Sequence, residues 1–329
     1  MTERYQQMKH WLDSLGYHDY SLTPASEDAS FRSYHRLSQG GQSWIVMDAP
    51  PEQESCDQFI HIAEKISAVG LTAPEIIEKN LQQGYLLLTD FGDTSYLSVL
   101  DTDTEASLYR DAMAALLTMQ KRLDADDLPR YDENLLNREM DLFRDWFLRE
   151  LLGIDLSESQ LSRWDSIKKI LIHSALEQPQ VFVHRDYHSR NLMKIPAGNP
   201  GILDFQDAVK GPITYDLVSL LRDCYIDWPG ARVDQLVLDY YILTIVNKLT
   251  DAKSDQFIHW FNQMGIQRHL KAIGIFSRLK IRDGKAGYLW DIPRTLNYLV
   301  QASADEASMM ELSSLISELD LSARVASIS

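Results

Sequence analysis

Apolar and polar positions along the chain recur with two different periods, and the change from one to the other divides it. Residues 4–15 repeat apolar positions at helical spacing and predict an amphipathic helix. Alternation with a period of two predicts strands near 31–37 and 43–48, and Ser38-Gln39-Gly40-Gly41-Gln42 between them supplies the glycines of a hairpin turn. Pro50-Pro51 stops the second strand. Phe59, Ile60, Ile62, Ala63, Ile66 and Val69 then restore helical spacing over about 53–69, closed by Gly70. Residues 76–78 and 85–88 read as two further short strands. Beyond Thr94 the spacing is helical near 104–123, 134–151, 158–177, 213–222, 231–249, 254–281 and 291–318, broken by strands and turns at 181–211. Strands first, helices after and one irregular island predict an α+β fold: a small antiparallel β lobe with a helix, at 1–92, and a larger, mostly helical lobe at 93–329.

A chain of 329 residues, 45% apolar and 24% charged, suits a globular two-lobed enzyme. The formal net charge of −16 argues against nucleic acid or an anionic membrane as the main partner, because phosphate binding needs clustered Lys and Arg. A local basic pocket stays compatible with it. Cys56 and Cys224 lie far apart in no metal-binding spacing and read as reduced, buried thiols. The charged residues among the first sixteen positions are unlike a signal peptide, and no apolar run approaches the ~20 residues of a membrane span. These features predict a cytoplasmic protein, for which a monomer is compatible and the oligomeric state is open.

The chemistry-bearing residues concentrate in the island. Val181-Phe182-Val183 feeds the polar loop His184-Arg185-Asp186-Tyr187-His188-Ser189-Arg190-Asn191, and Leu192-Met193 leaves it. A second apolar strand, Gly201-Ile202-Leu203, ends in Asp204, followed by Phe205-Gln206-Asp207. Phosphoryl transfer needs a carboxylate to orient and deprotonate the attacking hydroxyl, and hard oxygen ligands for Mg²⁺. Asp186 can supply the first, and Asn191 with Asp204 the second.

His184-Arg185-Asp186 with Asn191 five residues after the Asp resembles the catalytic loop of the protein-kinase-like superfamily, and Leu203-Asp204-Phe205 resembles its metal motif. Gln206 and the run Gly211-Pro212-Ile213-Thr214-Tyr215-Asp216-Leu217 are similar to the aminoglycoside phosphotransferase and choline kinase branch. Segments 29–34, 45–51, 87–93, 220–225 and 275–279 resemble the bacterial anomeric kinases of cell-wall amino sugars, which phosphorylate N-acetylmuramate and N-acetylglucosamine at C1. This resemblance spans most of the chain. It implies ATP and Mg²⁺ as cofactors, a nucleotide and a small sugar as the bound partners, and a sugar 1-phosphate as product. ATP and GTP are not distinguished.

The resemblance also assigns roles. Asp186 would be the catalytic base. His184 would brace the loop, Asp216 would hold it by accepting loop N–H groups, and Asp207 would approach the metal or cap a turn. Asp90-Phe91-Gly92 mimics a metal motif but precedes the catalytic loop, so the strand at 85–88 is read as running into the hinge, with Leu87, Leu88 and Thr89 meeting the adenine. The usual strand lysine is absent: Met47 stands there. The polar turn at 26–30, including Ser26 and Ser30, is expected to meet the phosphates, and Arg32 and Arg36 to replace the missing charge. Glu54 or Glu64 would be their carboxylate partner. On the sugar side, Arg222, Asp223, Tyr225, Asp227 and Trp228 cluster within a short stretch, and Arg268, Lys271, Arg278, Arg282 and Lys285 punctuate an otherwise apolar helix pair. Arg278 or Arg282 is expected to meet the lactyl carboxylate of N-acetylmuramate. Two other readings stay open: a kinase of another small alcohol (an aminoglycoside, choline or homoserine), or a pseudokinase that binds a nucleotide or partner.

Overall fold

The computed structural model describes residues 3–27 and 31–327, and the chain separates into two compact units. One comprises Met1–Ser98 together with Leu192–Asp207, the other Val99–Asn191 together with Ala208–Ser329.

The first unit opens with helix α1 (Glu3–Ser14) and strands β1 (Ser21–Glu27), β2 (Ser33–Gln39) and β3 (Gln42–Asp48). Helix α2 (Asp57–Ala68), strands β4 (Ile76–Asn80) and β5 (Tyr85–Thr89), and the single turn α3 (Tyr96–Val99) follow. The five strands form one antiparallel sheet in the order β1-β2-β3-β5-β4. Gln39 pairs with Gln42 across Gly40 and Gly41, both at positive φ, which is the two-residue turn whose twist matches that of paired strands. Leu37, Val46, Tyr85 and Leu87 lie on one face of the sheet and pack with Met8, Trp11 and Leu12 of α1.

β1 is where the pattern misleads: Ser21–Glu27 is polar, contains Pro24, and pairs with β2 through a register break between Pro24 and Ser26. Pro cannot donate to a ladder, so it sits on this edge strand. Ser26 therefore ends a strand and does not begin a turn. Ser30 lies outside the described residues.

The island contributes four short strands, β6 (Gln180–Val183), β7 (Leu192–Met193), β8 (Gly201–Ile202) and β9 (Val209–Pro212). β6 pairs with β9 in the second unit, and β7 with β8 in the first. The segment 192–207 joins the first unit through bonds that spacing does not announce. Lys194 N–H donates to Thr94 O at 2.8 Å and Ile202 N–H to Thr72 O at 2.8 Å. Asn199 Nδ2 donates to Tyr96 Oη at 2.8 Å, and Phe205 packs on Phe59 with ring centroids 4.9 Å apart. The division is thus interleaved along the chain, unlike the single cut after residue 92 expected from the pattern.

The second unit holds α4 (Glu105–Arg122), α5 (Glu133–Leu142), α6 (Glu158–Glu177), α7 (Tyr215–Leu221), α8 (Gly230–Val246), α9 (Ser254–Asp283), α10 (Ile292–Asp305), α11 (Met310–Glu318) and α12 (Leu321–Ala326). α5 begins at Asp132, whose side chain accepts from Leu135 N–H, and widens into a π-helical stretch at Phe143–Leu151. A capping box of Ser157 and Gln160 starts α6. α9 runs for 30 residues to Gly284 in the left-handed region, and α5, its π-helical extension, α6, α7 and α10 pack around it. A helix surrounded this way should be apolar on every side. Gln263, Gln267, His269 and Ser277 depart from this, and Arg268 and Lys271, both buried near its middle, are the charged departures.

Candidate active site

The loop after β6 is held from below by carboxylates. Asp216, on the first turn of α7 and fully buried, accepts the backbone N–H of His184 at 2.7 Å and of Arg185 at 3.0 Å. Burial pushes its carboxyl up to about 7 against the pull of those two donors. The bonds matter because Arg185 takes the left-handed conformation, φ 77°, which the Cβ of any L-residue disfavours. His184 is also fully buried, and its Nδ1 accepts from Asp186 N–H at 3.3 Å. Tyr187 anchors the loop to α4 through its hydroxyl, which donates to Ala112 O at 2.8 Å. Farther along, Asp223 accepts both Ser189 N–H at 3.0 Å and Ser189 Oγ–H at 2.5 Å on one oxygen, and Tyr225 N–H at 3.0 Å on the other. Asn191 folds back so that its Nδ2 donates to Asp186 O at 3.0 Å.

These braces leave the Asp186 side chain in a cavity lined also by His188, Asp223, Cys224, Tyr225, Arg268, Lys271, Ala272, Ile275 and Phe276. Burial would raise the Asp186 carboxyl, but Lys271, His188, Arg268 and Arg185 around it outweigh that and hold it at about 2. It is therefore ionised at neutral pH and able to accept a hydrogen bond from a hydroxyl. His188 is lowered from its usual value by burial, against the nearby carboxylates Asp223 and Asp186, so its ring is neutral at pH 7. Beneath the cavity one carboxylate serves two cations: Glu139 meets Arg185 at 2.5 Å and Lys271 at 3.3 Å, and also accepts the Tyr131 hydroxyl. At the rim, the Arg190 guanidinium stacks 3.8 Å from the Tyr225 ring centroid.

Among the residues expected on the sugar side, Asp223, Tyr225, Arg268 and Lys271 line this cavity and the others do not. Arg222 is turned onto Asn262, its guanidinium donating to Oδ1 at 2.7 Å and lying over the Phe261 ring. Trp228 Nε1 donates to Tyr109 Oη at 2.7 Å. Arg278 lies seven residues beyond Lys271 on α9, about 10 Å along the axis. Arg282 is farther still, exposed and paired with Asp283 at 2.7 Å. On α9 it is Arg268 and Lys271 that reach the cavity, and their local sequence does not separate them from Arg278 and Arg282.

In the first unit Asp204 has φ 62° and accepts Gln206 Nε2 at 2.7 Å, while Asp207 is exposed. Asn191 and Asp204 offer oxygen ligands, which suits a hard cation. Among the described residues no three His, Cys, Asp or Glu side chains gather as a protein-caged metal would require. Leu87 and Leu88 sit in mid-sheet, with β3 on one side and β4 on the other, and Thr89 N–H donates to Glu75 O at 3.0 Å. Their backbone groups are thus committed to the sheet, and the first residues outside it begin at Asp90. Asp90 accepts Arg36 on both oxygens, at 2.6 and 3.1 Å, so Arg36 is held by a carboxylate. Arg32 pairs with Glu54 at 2.7 Å, just ahead of α2.

An antiparallel five-stranded unit, a helical unit, and an ionised aspartate on a braced loop between short strands together define a protein-kinase-like phosphotransferase. The chain belongs to the phosphotransferase enzyme family whose model matches residues 21–251. It is 44% identical to an N-acetylmuramate/N-acetylglucosamine kinase of Pseudomonas aeruginosa, over 96% of this chain and 97% of that one. It is 39% identical to the protein of the same name from Neisseria meningitidis serogroup B, over 96% of each chain. Among solved structures it is similar to choline kinase LicA from Streptococcus pneumoniae, with a TM-score of 0.65 at 12% identity, covering 91% of this chain and all of that one. It is also similar to an ADP-bound aminoglycoside phosphotransferase, with a TM-score of 0.59 at 13% identity, covering 90% and 98%. The chain is a small-molecule kinase and uses a nucleotide.

Proposed function

We propose that this kinase is cytoplasmic and transfers the γ-phosphoryl group of ATP, with Mg²⁺, to the anomeric C1 hydroxyl of N-acetylmuramate and N-acetylglucosamine. The reading is supported by the names of relatives that match nearly the full chain. The observation that carries it is Asp186, ionised in a cavity walled by Tyr225 and Phe276, since a sugar site joins a carboxylate to aromatic faces. Asp186 would accept the C1 hydroxyl proton and aim its oxygen at phosphorus. Asn191 and Asp204 would hold Mg²⁺, which neutralises charge on the phosphates when bound. Arg32 would add positive charge toward the phosphates, and backbone groups from Asp90 onward would meet the base.

Phosphorus NMR of a mixture with ATP, Mg²⁺ and each sugar tests the position: a 1-phosphate is expected, and a 6-phosphate would refute the anomeric assignment. Asp186→Asn should lower kcat by about 100-fold or more while nucleotide affinity, read by fluorescent ADP, stays within a few-fold. Wild-type turnover by that variant would falsify the base assignment.

A further inference from the structure

Arg268 is the one buried cation of the cavity without a direct ion pair, with Asp186 and Asp223 acting on it only from beyond contact distance. It is 6% exposed. Its guanidinium donates to the neutral hydroxyl of Ser219 and lies over the Tyr215 ring, while Nε has no hydrogen-bond partner. Lys271, three residues on, shares Glu139 with Arg185. Among the described residues no carboxylate lies within ion-pairing distance of Arg268. The two carboxylates in the same cavity are otherwise engaged: Asp223 has both oxygens on loop donors, and Asp186 faces the acceptor hydroxyl in the reading above. Beside it, His188 Nδ1 is also buried without a partner. A buried guanidinium whose direct contacts are only a hydroxyl and a ring face, with carboxylates no nearer than through-space range, gains most when a ligand brings a carboxylate into contact.

We propose that Arg268, with His188 beside it, recognises a carboxylate borne by the acceptor sugar, so that this cavity favours a pyranose carrying an acidic ether substituent over the same ring without one. The inference rests on the sugar-kinase reading of the site. The carboxylate would take the Nε–H and a terminal N–H of the guanidinium in the paired geometry that Arg offers and Lys does not. The apolar walls, Tyr225, Phe276, Ile275 and Ala272, would meet the ring, and the hydroxyl facing Asp186 would be phosphorylated. Recognition of the acid then lies on the central helix near the catalytic loop, and not at Arg278 or Arg282.

The test compares N-acetylmuramate, its uncharged carboxamide and N-acetylglucosamine in steady-state kinetics. The wild type should use the acid with a kcat/KM about 10- to 100-fold above that of the carboxamide. Arg268→Gln should erase this preference, chiefly through KM for the acid, and lower kcat/KM for N-acetylglucosamine by much less. Arg268→Lys should restore part of the preference, and Arg282→Ala should leave it intact. Equal use of acid and carboxamide by the wild type overturns the proposal, and needs no variant to fold. So does an equal loss on all three substrates in Arg268→Gln, which would make Arg268 a phosphate or structural residue. Failure of the wild type to phosphorylate any of these sugars would instead sink the function proposed above.

Discussion

Charge balance around Asp186 sets what individual residues contribute. Its carboxyl is lowered to about 2, so in the folded chain it holds its proton less tightly than in the unfolded one. Stability from this group is therefore fully present above about pH 4 and lost as pH falls toward 2. Urea denaturation should find Asp186→Asn less stable than wild type by on the order of 1–2 kcal/mol at pH 6, with the gap narrowing at pH 3. A gap that widens in acid would contradict the cation-rich surroundings described. Glu139 is more exposed to substitution still, since one carboxylate balances Arg185 and Lys271. Glu139→Gln leaves two buried cations facing an amide and should cost about 3–5 kcal/mol in the same assay. At this scale the sequence drew attention to residues unusual by type and spacing, and of these Asp186 lines the cavity while Asn191 folds back onto its carbonyl. The sequence was not readable for the arginines of α9. Arg268, Arg278 and Arg282 are chemically identical, and which of them is buried depends on the helices around it.

Elements with strong local grammar were recoverable from the pattern, as the capping box of α6 and the glycine turn between β2 and β3 illustrate. Those determined by a partner were not. β1 is a strand because β2 offers it an edge, despite Pro24 and a polar composition. The crossing of α9 over α5 is equally silent in the sequence and rests on one residue. A Cβ at Gly274 would lie 2.4 Å from the Leu142 carbonyl carbon and 2.6 Å from Phe143 N, where α5 passes into its π-helical stretch. In an exposed helix, Gly→Ala stabilises by about 1 kcal/mol. Here the sign should reverse: Gly274→Ala should lose about 1–3 kcal/mol by overpacking, and Gly274→Val more. A thermal midpoint equal to or above wild type for Gly274→Ala would mean that the helices separate without penalty.

For the molecule as a whole, the chain leaves the strand unit at Ser98, builds half of the helical unit, and returns at Leu192 to complete the sheet unit before leaving again at Asp207. Leu192, Ile202 and Phe205 are buried there, with Phe59, Thr72, Thr94 and Tyr96 as neighbours of their segment. A fragment beginning at residue 99 would keep that segment and lose those neighbours. It should unfold without a cooperative transition and bind a hydrophobic dye, whereas a fragment that melts sharply would show that 192–207 needs no sheet. Hydropathy could not reveal this return, because a two-residue strand has no period of its own.

The same double crossing has a consequence for biosynthesis. A ribosome releases the amino-terminal sheet early, yet everything from Val99 to Asn191 must be translated before its last segment exists. At typical elongation speeds that delay is roughly five to twenty seconds. Throughout it, the nascent sheet carries an uncovered apolar seam, making this interval the moment when a holdase chaperone has most to gain from contact with the emerging polypeptide.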